Sequence, residues 1–275
     1  MSAVPVVMVT GATDGLGRAL ARELAADGAT VLVHGRDPAR IASTLDEIRA
    51  ATGSGRLRAY RADLASLEEV ERLAGEVAAN EERLDVLVNN AGVGAGRPGS
   101  GRELSRDGHE LRLAVNHLAP FLLTMRLMPL LRRSAPARVV NVASAGQRAL
   151  DLDDLMLERG YDGMRAYAQS KLAQIMFTFE LAGRVPAQEV AATALHPSSL
   201  MPTKMVDETF GYTLSSLEDG VAATRRLALD PELAGLSGRY FDRTREARPH
   251  EQAYDAAARR RLWELSEGLV GLQGA

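Results

Sequence analysis

The N-terminal segment constrains the fold more than any other part of the chain. Residues 4–10 form an apolar, β-branched run that predicts a buried strand, and a turn with Gly11, Gly15 and Gly17 follows directly. A helical pattern over residues 19–26 comes next. Glycines let the backbone approach a pyrophosphate, whose charge is met by the amides and dipole of the following helix. The arrangement therefore predicts a phosphate-binding site, with a purely structural turn as the alternative.

The rest of the chain alternates between strand-like and helical patterns. Helices are predicted over residues 38–51 and 67–79, among others, and further strands over residues 31–33, 56–61, 86–89, 138–143 and 190–196. This alternation predicts an α/β fold: a doubly wound parallel Rossmann sheet with helices on both faces. No linker or low-complexity run divides the sequence, so we predict a single domain over residues 1–275.

Lysine is scarce in this chain, which has 31 Arg and only two Lys. One of the two, Lys171, follows Tyr167 by four residues, and residues 168–181 have a helical pattern. Positions i and i+4 share a helix face, so the ammonium is predicted to lie beside the phenol. A nearby cation lowers a tyrosine pKa from about 10, which allows proton exchange with a substrate oxygen. The alternative is a surface pair without chemistry.

Several motifs follow in a recognisable order. Asn89-Asn90-Ala91-Gly92 ends the predicted fourth strand, Asn116 lies in VNHLAPFLLT and Ser144 lies in RVVNVAS. With the glycine turn and the Tyr-x-x-x-Lys pair, they resemble the short-chain dehydrogenase/reductase family, and within it the retinol dehydrogenase branch. Residues 262–266, LWELS, are also similar to that branch, so the resemblance covers nearly the whole chain. It implies a catalytic tetrad of Asn116, Ser144, Tyr167 and Lys171.

The resemblance also implies a nicotinamide cofactor and an oxidoreductase reaction. A hydride would pass between nicotinamide and a lipophilic ketone, aldehyde or alcohol, while Tyr167 acts as general acid or base. Ser144 would orient the substrate oxygen, Lys171 would bind the ribose, and Asn116 would support a water. The implied cofactor-binding residues, besides Tyr167 and Lys171, are Gly11, Thr13, Asp14, Gly15, Leu16, Gly17, Arg36, Asp63, Leu64, Asn90, Ala91, Gly92, Pro197 and Thr203.

Cofactor choice depends on the residues that follow the second strand. An acidic residue there binds the ribose hydroxyl of NAD, whereas an arginine accommodates the 2′-phosphate of NADP. In the family register, Gly35 replaces the acidic residue and Arg36 supplies the arginine, which favours NADP(H) over NAD(H). Two features favour NAD(H): Asp37 would take the acidic role if the strand ended one residue later, and Asp14 is not the basic residue that some NADP enzymes use.

The chain departs from the family pattern at two places. Ser144 and Tyr167 are separated by 23 positions (167 − 144), a gap that resembles the retinol dehydrogenase branch. The intervening acidic stretch, residues 151–163, is predicted to form a small lid or to cover the neighbouring helix. Ser198 follows Pro197 where the family has glycine, and Thr203 comes one residue later than the threonine it matches. His117 and His196 are predicted to be structural.

Residues 198–216 are predicted to form the substrate loop. Their Met and aromatic residues, including Phe210 and Tyr212, suit a lipophilic substrate because thioethers adapt to irregular apolar ligands. The alternative is that these side chains pack the loop onto the domain.

Charge and cysteine content exclude several classes of function. The net charge of −3 is well mixed, which predicts no nucleic-acid partner, and the absence of cysteine excludes disulfides and thiolate metal sites. No metal site is predicted. The first strand begins so close to residue 1 that we expect no membrane span, and we expect a cytoplasmic protein.

Two alternatives to a carbonyl oxidoreductase are open. The first is a catalytically silent NADP(H)-binding regulator or scaffold of the same fold, and the second is an enzyme of epimerase or C=C reductase type. Packing through the Asn116 and Tyr167 helices implies a homodimer or homotetramer by resemblance, unless residues 151–163 block that face.

Overall fold

A computed structural model describes residues 4–97, 99–209 and 211–272. Its centre is an eight-stranded sheet in the order β3-β2-β1-β4-β5-β6-β7-β8, in which neighbouring strands are parallel except for the last pair. The predicted doubly wound sheet is confirmed. The strands are β1 (Val6–Val9), β2 (Thr30–Gly35), β3 (Leu57–Arg61), β4 (Val86–Asn89), β5 (Ala137–Val142), β6 (Val190–His196), β7 (Arg239–Asp242) and β8 (Arg245–Glu246).

Helices connect the strands and cover both faces of the sheet. They are α1 (Gly15–Ala26), α2 (Pro38–Thr52), α3 (Leu67–Asn80), α4 (Leu111–Leu113), α5 (Ala119–Arg133), α6 (Gly163–Arg184), α7 (Lys204–Thr209), α8 (Leu217–Leu229) and α9 (Ala256–Leu269). A π-helical turn, Ala114–Leu118, joins α4 to α5. The predicted helix over residues 168–181 is the middle of α6, which begins five residues earlier and includes Tyr167.

Alternating side chains of the central strands are buried in two hydrophobic cores, one on each face of the sheet, because successive residues of a strand face opposite sides. Met8 of β1 joins a core beneath α3, α5 and α6, whereas Val7 and Val9 join a core beneath α1, α2 and α8. Both faces of the central strands are buried, so β1 and β4 are almost entirely apolar, whereas the edge strand β3 exposes Arg58 and Arg61. This arrangement holds the carboxyl ends of β1, β4, β5 and β6 at one edge of the sheet.

The helix α9 covers part of the surface that α5 and α6 would offer to a second subunit. The Trp263 ring lies 5.0 Å from Phe121 and 5.9 Å from Phe177, centroid to centroid, and the Arg184 guanidinium lies 4.2 Å from the same ring. Residues 151–163 pack Leu152 and Leu155 against side chains of α6, as the prediction of a cover for the neighbouring helix expects, and Tyr161 donates a hydrogen bond to Glu110 at the start of α4. The oligomeric state stays a prediction.

One helical stretch, Leu111–Arg133, has the length and apolar character of a membrane span. In the structure, 83% of its most apolar part is buried inside the protein. Burial of this kind is what a central helix of a globular core also shows, so the stretch is weak support for a membrane span.

Candidate active site

The glycine turn lies between β1 and α1, at the carboxyl edge of the sheet. Gly11 and Gly15 adopt positive φ angles of 64° and 45°, which glycine tolerates at little cost. A Cβ atom at Gly17 would come within 2.9 Å of the Gly11 carbonyl carbon and closer still to its oxygen and to Asn90 Nδ2. Asp14 caps α1 by accepting a hydrogen bond from Gly15 N at 2.8 Å. The helix thus begins four residues before the predicted 19–26, and its N-terminus faces the turn.

Thr10 joins this turn to the loop after β4, although it was not among the predicted binding residues. Its buried hydroxyl accepts hydrogen bonds from the backbone N–H groups of Asn90 and Ala91, both at 3.0 Å. The Asn90 side chain donates to Thr10 O at 2.8 Å. These bonds hold the predicted Asn90 to Gly92 segment against Gly11, so the two cofactor loops form one rigid surface.

His34 is a second residue that the sequence reasoning missed. Its Nδ1 accepts a hydrogen bond from Gly11 N at 3.1 Å, and its Nε2 lies 3.2 Å from Ala62 O, so the Nε2–H tautomer satisfies both contacts. Burial lowers the pKa of His34 to about 4, which keeps the ring neutral. The ring ties the glycine turn to the ends of β2 and β3. Its sequence signal is a histidine inside an apolar strand.

The end of β2 carries the residues predicted to choose the cofactor. The strand ends at Gly35, and Asp37 caps α2 by accepting hydrogen bonds from the backbone N–H groups of Ala39 and Arg40 at 2.8 and 3.1 Å. The later strand end that would give Asp37 the acidic role does not occur. A Cβ atom at Gly35 would lie 2.6 Å from Thr13 Cγ2, so a larger residue requires Thr13 to move. Arg36 is exposed.

Asp14 is paired with an arginine that was not predicted. Arg40 Nη2 lies 2.8 Å from Asp14 Oδ2. Partial burial opposes ionisation, but the bonds from Arg40 and from Gly15 N outweigh it and hold the pKa of Asp14 below its usual value. The acidic residue of the glycine turn is therefore partly neutralised by Arg40.

Asp63 and Leu64 follow β3. Asp63 Oδ1 accepts a hydrogen bond from Ala65 N at 3.1 Å, and Oδ2 lies 3.6 Å from Arg106 Nη2. Leu64 is buried in the core. The Asp63 carboxylate therefore stabilises the turn after β3 through a local hydrogen bond, as aspartates in turns commonly do.

The structure brings the four predicted tetrad residues together. Ser144 follows β5 and lies beside the Tyr167 phenol, while Lys171 Nζ lies 5.9 Å from the centroid of the Tyr167 ring. A Cβ atom on Gly92 would lie 3.1 Å from Asn116 Oδ1 and 3.4 Å from Lys171 Nζ. Four side chains from three parts of the chain thus converge beside the loop after β4.

Asn116 lies in the π-helical turn, not in the middle of a regular helix as predicted. Its Oδ1 accepts from Val93 N at 2.8 Å, and its Nδ2 donates to Val93 O at 3.0 Å and to Ser170 Oγ at 2.9 Å. The side chain is thus fully hydrogen-bonded to protein. Single π turns inside helices are frequent at functional sites, and this one points Asn116 at the loop after β4.

The titration of Tyr167 and Lys171 differs from the prediction. Burial raises the pKa of Tyr167, and the neighbouring Ser144 hydroxyl only partly offsets that rise. The prediction that Lys171 lowers the Tyr167 pKa is therefore wrong for this structure. Lys171 is 3% exposed, and burial lowers its pKa to about 7. Its ammonium bonds Val142 O instead of the phenol. The lysine is therefore held beside the tyrosine without a direct bond.

The predicted substrate loop is closed at its base and reaches the glycine turn. Leu214 N donates to Leu200 O at 3.0 Å, and Ser215 Oγ donates to Ser199 O at 2.6 Å. A Cβ atom on Gly15 would lie 2.9 Å from Thr203 Cγ2, which places Thr203 at the predicted cofactor site despite its shifted position.

Side chains of this loop differ in burial. Met201 is buried in the core beneath α1 and α8, so it packs the loop onto the domain. Tyr212 and Leu214 are exposed by 57% and 69%. Pro197 is buried directly after β6. Phe210 lies outside the described residues.

Comparison with known proteins agrees with this geometry. The sequence profile of the family described as short chain dehydrogenase matches residues 5–211. The chain belongs to this family. It is similar to human retinol dehydrogenase 13, at 36% identity over 97% of this chain and 85% of the relative. This short-chain dehydrogenase is therefore retinol dehydrogenase-like and is an oxidoreductase that acts on CH–OH and C=O groups.

Solved structures similar to this short-chain dehydrogenase include two bacterial proteins. An uncharacterised protein from Mycobacterium paratuberculosis is 31% identical, with a TM-score of 0.76 over 97% of this chain and 93% of that chain. A short chain dehydrogenase from Escherichia coli, complexed with NADPH, is 28% identical, with a TM-score of 0.72 over 88% of this chain and 97% of that chain. Both similarities extend over most of the sheet and its helices.

The segment between Ser144 and Tyr167 of the dehydrogenase is anchored by a buried charge network. Arg112 is 2% exposed; it donates hydrogen bonds to Gly94 O and Ala95 O at 3.1 and 3.2 Å and lies 3.6 Å from Glu110. Glu110 in turn accepts the bond from Tyr161. The loop after Gly92 and residues 151–163 are thus held by the same two charges.

Proposed function

We propose that this short-chain dehydrogenase is an NADP(H)-dependent carbonyl reductase or secondary alcohol dehydrogenase for a lipophilic ketone, aldehyde or alcohol. The observation that carries the proposal is the convergence of Ser144, Tyr167, Lys171 and Asn116 beside the loop that faces the glycine turn. A protein that only bound the nucleotide would have no need for a phenol and a hydroxyl side by side at this position.

The site fits a dinucleotide. Side chains are absent where the turn meets the loop after β4, because Cβ atoms at Gly11 and Gly17 would overlap neighbouring backbone. The N-terminus of α1 faces the same surface and suits a pyrophosphate. Residues around Gly11 to Gly17 and Asn90 to Gly92 would hold the dinucleotide, with Thr203 at its nicotinamide end. When bound, the cofactor supplies or accepts a hydride at the substrate carbon.

The protein groups supply the proton and the orientation. Ser144 donates a hydrogen bond to the substrate oxygen and holds it beside the phenol. In the reductive direction the proton of the Tyr167 hydroxyl passes to that oxygen, and in the oxidative direction the phenolate takes it back. Lys171, whose charge lies near the ring, stabilises the phenolate that the reduction leaves. Asn116 fixes the Val93 backbone on which the neighbouring loop depends.

The preference for NADP(H) is supported by charge at the end of β2. Arg36 is exposed there, whereas Asp37 is occupied as the cap of α2. Arg40 pairs with Asp14, which reduces the repulsion that this carboxylate would exert on a 2′-phosphate. The Escherichia coli relative complexed with NADPH supports the same choice.

The preference for lipophilic substrates is supported by the substrate loop and by the relatives. Tyr212 and Leu214 expose apolar surface on residues 198–216, the loop that also carries Thr203 to the glycine turn. Human retinol dehydrogenase 13 is named for a lipophilic alcohol. We therefore include a retinoid aldehyde among the substrates to be tested.

The experiment measures oxidation of NADPH and of NADH with a panel of aromatic, aliphatic, polycyclic and retinoid ketones and aldehydes. We expect turnover that is faster with NADPH and that Tyr167→Phe abolishes while NADPH still binds. Tyr254→Phe is the matched control, because Tyr254 packs against Phe179 away from the tetrad. Arg36→Ala should weaken NADPH binding more than NADH binding. Tight NADPH binding without turnover on any substrate would favour the silent regulator instead.

A further inference from the structure

The ammonium of Lys171 has two hydrogen-bond partners, and only one of them is backbone. Its Nζ lies 2.9 Å from Val142 O, at the end of β5, and 2.9 Å from Oε1 of Gln174, one turn further along α6. Gln174 is fully buried. An ammonium has three N–H groups, so two are taken by these acceptors and the third is left for the side of Gly92.

The orientation of the Gln174 amide is set by the ammonium. With Oε1 toward Lys171, the buried Nε2 has no hydrogen-bond partner among the described residues. Reversing the amide would place its NH₂ group against the ammonium, which has no acceptor to offer. A buried N–H group without an acceptor costs free energy that an apolar side chain of the same size would avoid. The Gln174 side chain thus leaves its Nε2–H groups without an acceptor in the described part of the chain while its Oε1 binds Lys171.

We infer that Gln174 is a positioning residue that holds the Lys171 ammonium against the end of β5 and leaves its third N–H directed to the cofactor side of the site. The amide accepts a hydrogen bond without carrying charge, so it does not offset the positive charge that the protonated lysine presents to the Tyr167 phenolate. A carboxylate at the same distance would cancel much of that charge. The effect on turnover rests on the proposed function, but the effect on the lysine itself does not.

The backbone beneath Gln174 is fixed by a buried polar chain. Thr178 Oγ1 donates to Gln174 O at 2.8 Å and accepts from Asn141 Nδ2 at 2.9 Å, and Asn89 Nδ2 donates to Asn141 Oδ1 at 2.9 Å. These bonds connect α6 to β5 and β4. Thr178 therefore stabilises the same helix turn without contacting Lys171, which makes it a control for a purely structural role.

Four elements surround the Lys171 ammonium, and apart from Tyr167 the groups they direct at it do not titrate. Tyr167 on α6 is the titratable neighbour, β5 contributes the Val142 carbonyl, the π-helical turn contributes the neutral Asn116, and the loop after β4 contributes Gly92. Among the described residues, no carboxylate contributes to the pKa shift of Lys171, whose cause is burial. A change in charge at Gln174 should therefore act on Lys171 without competition.

The scarcity of lysine makes a direct measurement practical. Only Lys171 and Lys204 occur in the chain, so Lys204→Arg leaves a single lysine whose ¹³Cε shift reports its titration by NMR. Burial lowers the pKa of Lys171 to about 7, which brings the titration into an accessible range. Gln174→Glu should raise the Lys171 pKa by about one unit or more, and Gln174→Met should lower it, because the first adds a nearby negative charge and the second removes an acceptor. Thr178→Val should lower stability and leave the Lys171 pKa in place.

Turnover provides the second readout. The pH profile of kcat for Gln174→Glu should move in the same direction as the lysine titration, and Gln174→Met should lose about tenfold in kcat with little change in KM. If Lys171 titrates at the same pH in wild type and Gln174→Glu, the inference is overturned. Gln174→Glu is close in shape to glutamine, so this comparison holds even where Gln174→Met fails to fold. Wild-type protein without turnover would count against the proposed function and leave the titration test intact.

Discussion

Replacing Gly17 by alanine should disrupt the cofactor turn, although alanine is the better helix former. The new Cβ would lie 2.9 Å from the Gly11 carbonyl carbon, against an ordinary carbon–carbon contact of about 3.5 Å. The carbonyl must therefore retreat by at least 0.6 Å (3.5 − 2.9), and Asn90, which holds the loop after β4, must move as well. Overpacking of this kind costs about 1–3 kcal/mol and outweighs the gain of about 0.5–1 kcal/mol from helix propensity.

Two measurements check the Gly17→Ala prediction. Urea unfolding should show a net loss of about 1–2 kcal/mol, and NADPH fluorescence titration should show Kd raised at least about tenfold, equivalent to 1.4 kcal/mol. Gly75→Ala is the matched control. Gly75 is exposed in α3, and a methyl group there would have no neighbouring atom within 4 Å, so the substitution should gain about 0.5–1 kcal/mol. Equal NADPH affinity in Gly17→Ala and wild type would refute the reasoning.

Three further predictions concern stability. Trp263→Ala should cost about 3–5 kcal/mol in urea unfolding, because the ring is 4% exposed and packs on Phe121; a loss below about 1 kcal/mol would contradict this packing role. Arg112→Met should cost about 3–5 kcal/mol, because it removes the ion pair with Glu103 at 2.7 Å and leaves the buried Glu110 carboxylate without its neighbouring cation; adding Glu110→Gln should recover part of the loss in the same assay. The free energy of unfolding should fall as pH drops from about 6.5 toward 4, because the pKa of His34 is about 4 in the folded protein and higher in the unfolded chain, which therefore binds the proton first. Protonation of His34 should remove about 3 kcal/mol of stability over this range. In His34→Asn, the dependence of unfolding free energy on pH should be flatter.

The sequence predicted those features that depend on local pattern. The boundaries of β4 and β6 are those expected from apolar runs bounded by polar residues, and the glycine turn follows β1 as its spacing indicates. The tetrad residues were found by motif; Ser144 follows β5 at the carboxyl edge of the sheet, and α6 and the π-helical turn bring the other three residues to the same edge.

The features that were missed depend on contacts between distant parts of the chain. His34 bonds Gly11 and Ala62, which lie 23 and 28 positions away, so its role is invisible in the local pattern of β2. The π-helical turn around Asn116 is not encoded by hydrophobic periodicity, because it differs from an α-helix by a single residue. The last two strands are four and two residues long, too short to give an alternation of their own. The raised pKa of Tyr167 follows from burial, which spacing alone does not show.

The contact between α9 and the π-helical turn of Asn116 affects the order in which the site forms during synthesis of the chain. His117 Nε2 lies 2.8 Å from Ser266 Oγ, and Trp263 packs on the helix that continues from the same turn. On the ribosome, α9 emerges after every strand of the sheet. The sheet and its glycine turn are therefore complete in a nascent chain before the support behind Asn116 arrives, and we expect such a chain to bind the dinucleotide earlier than it can turn over substrate.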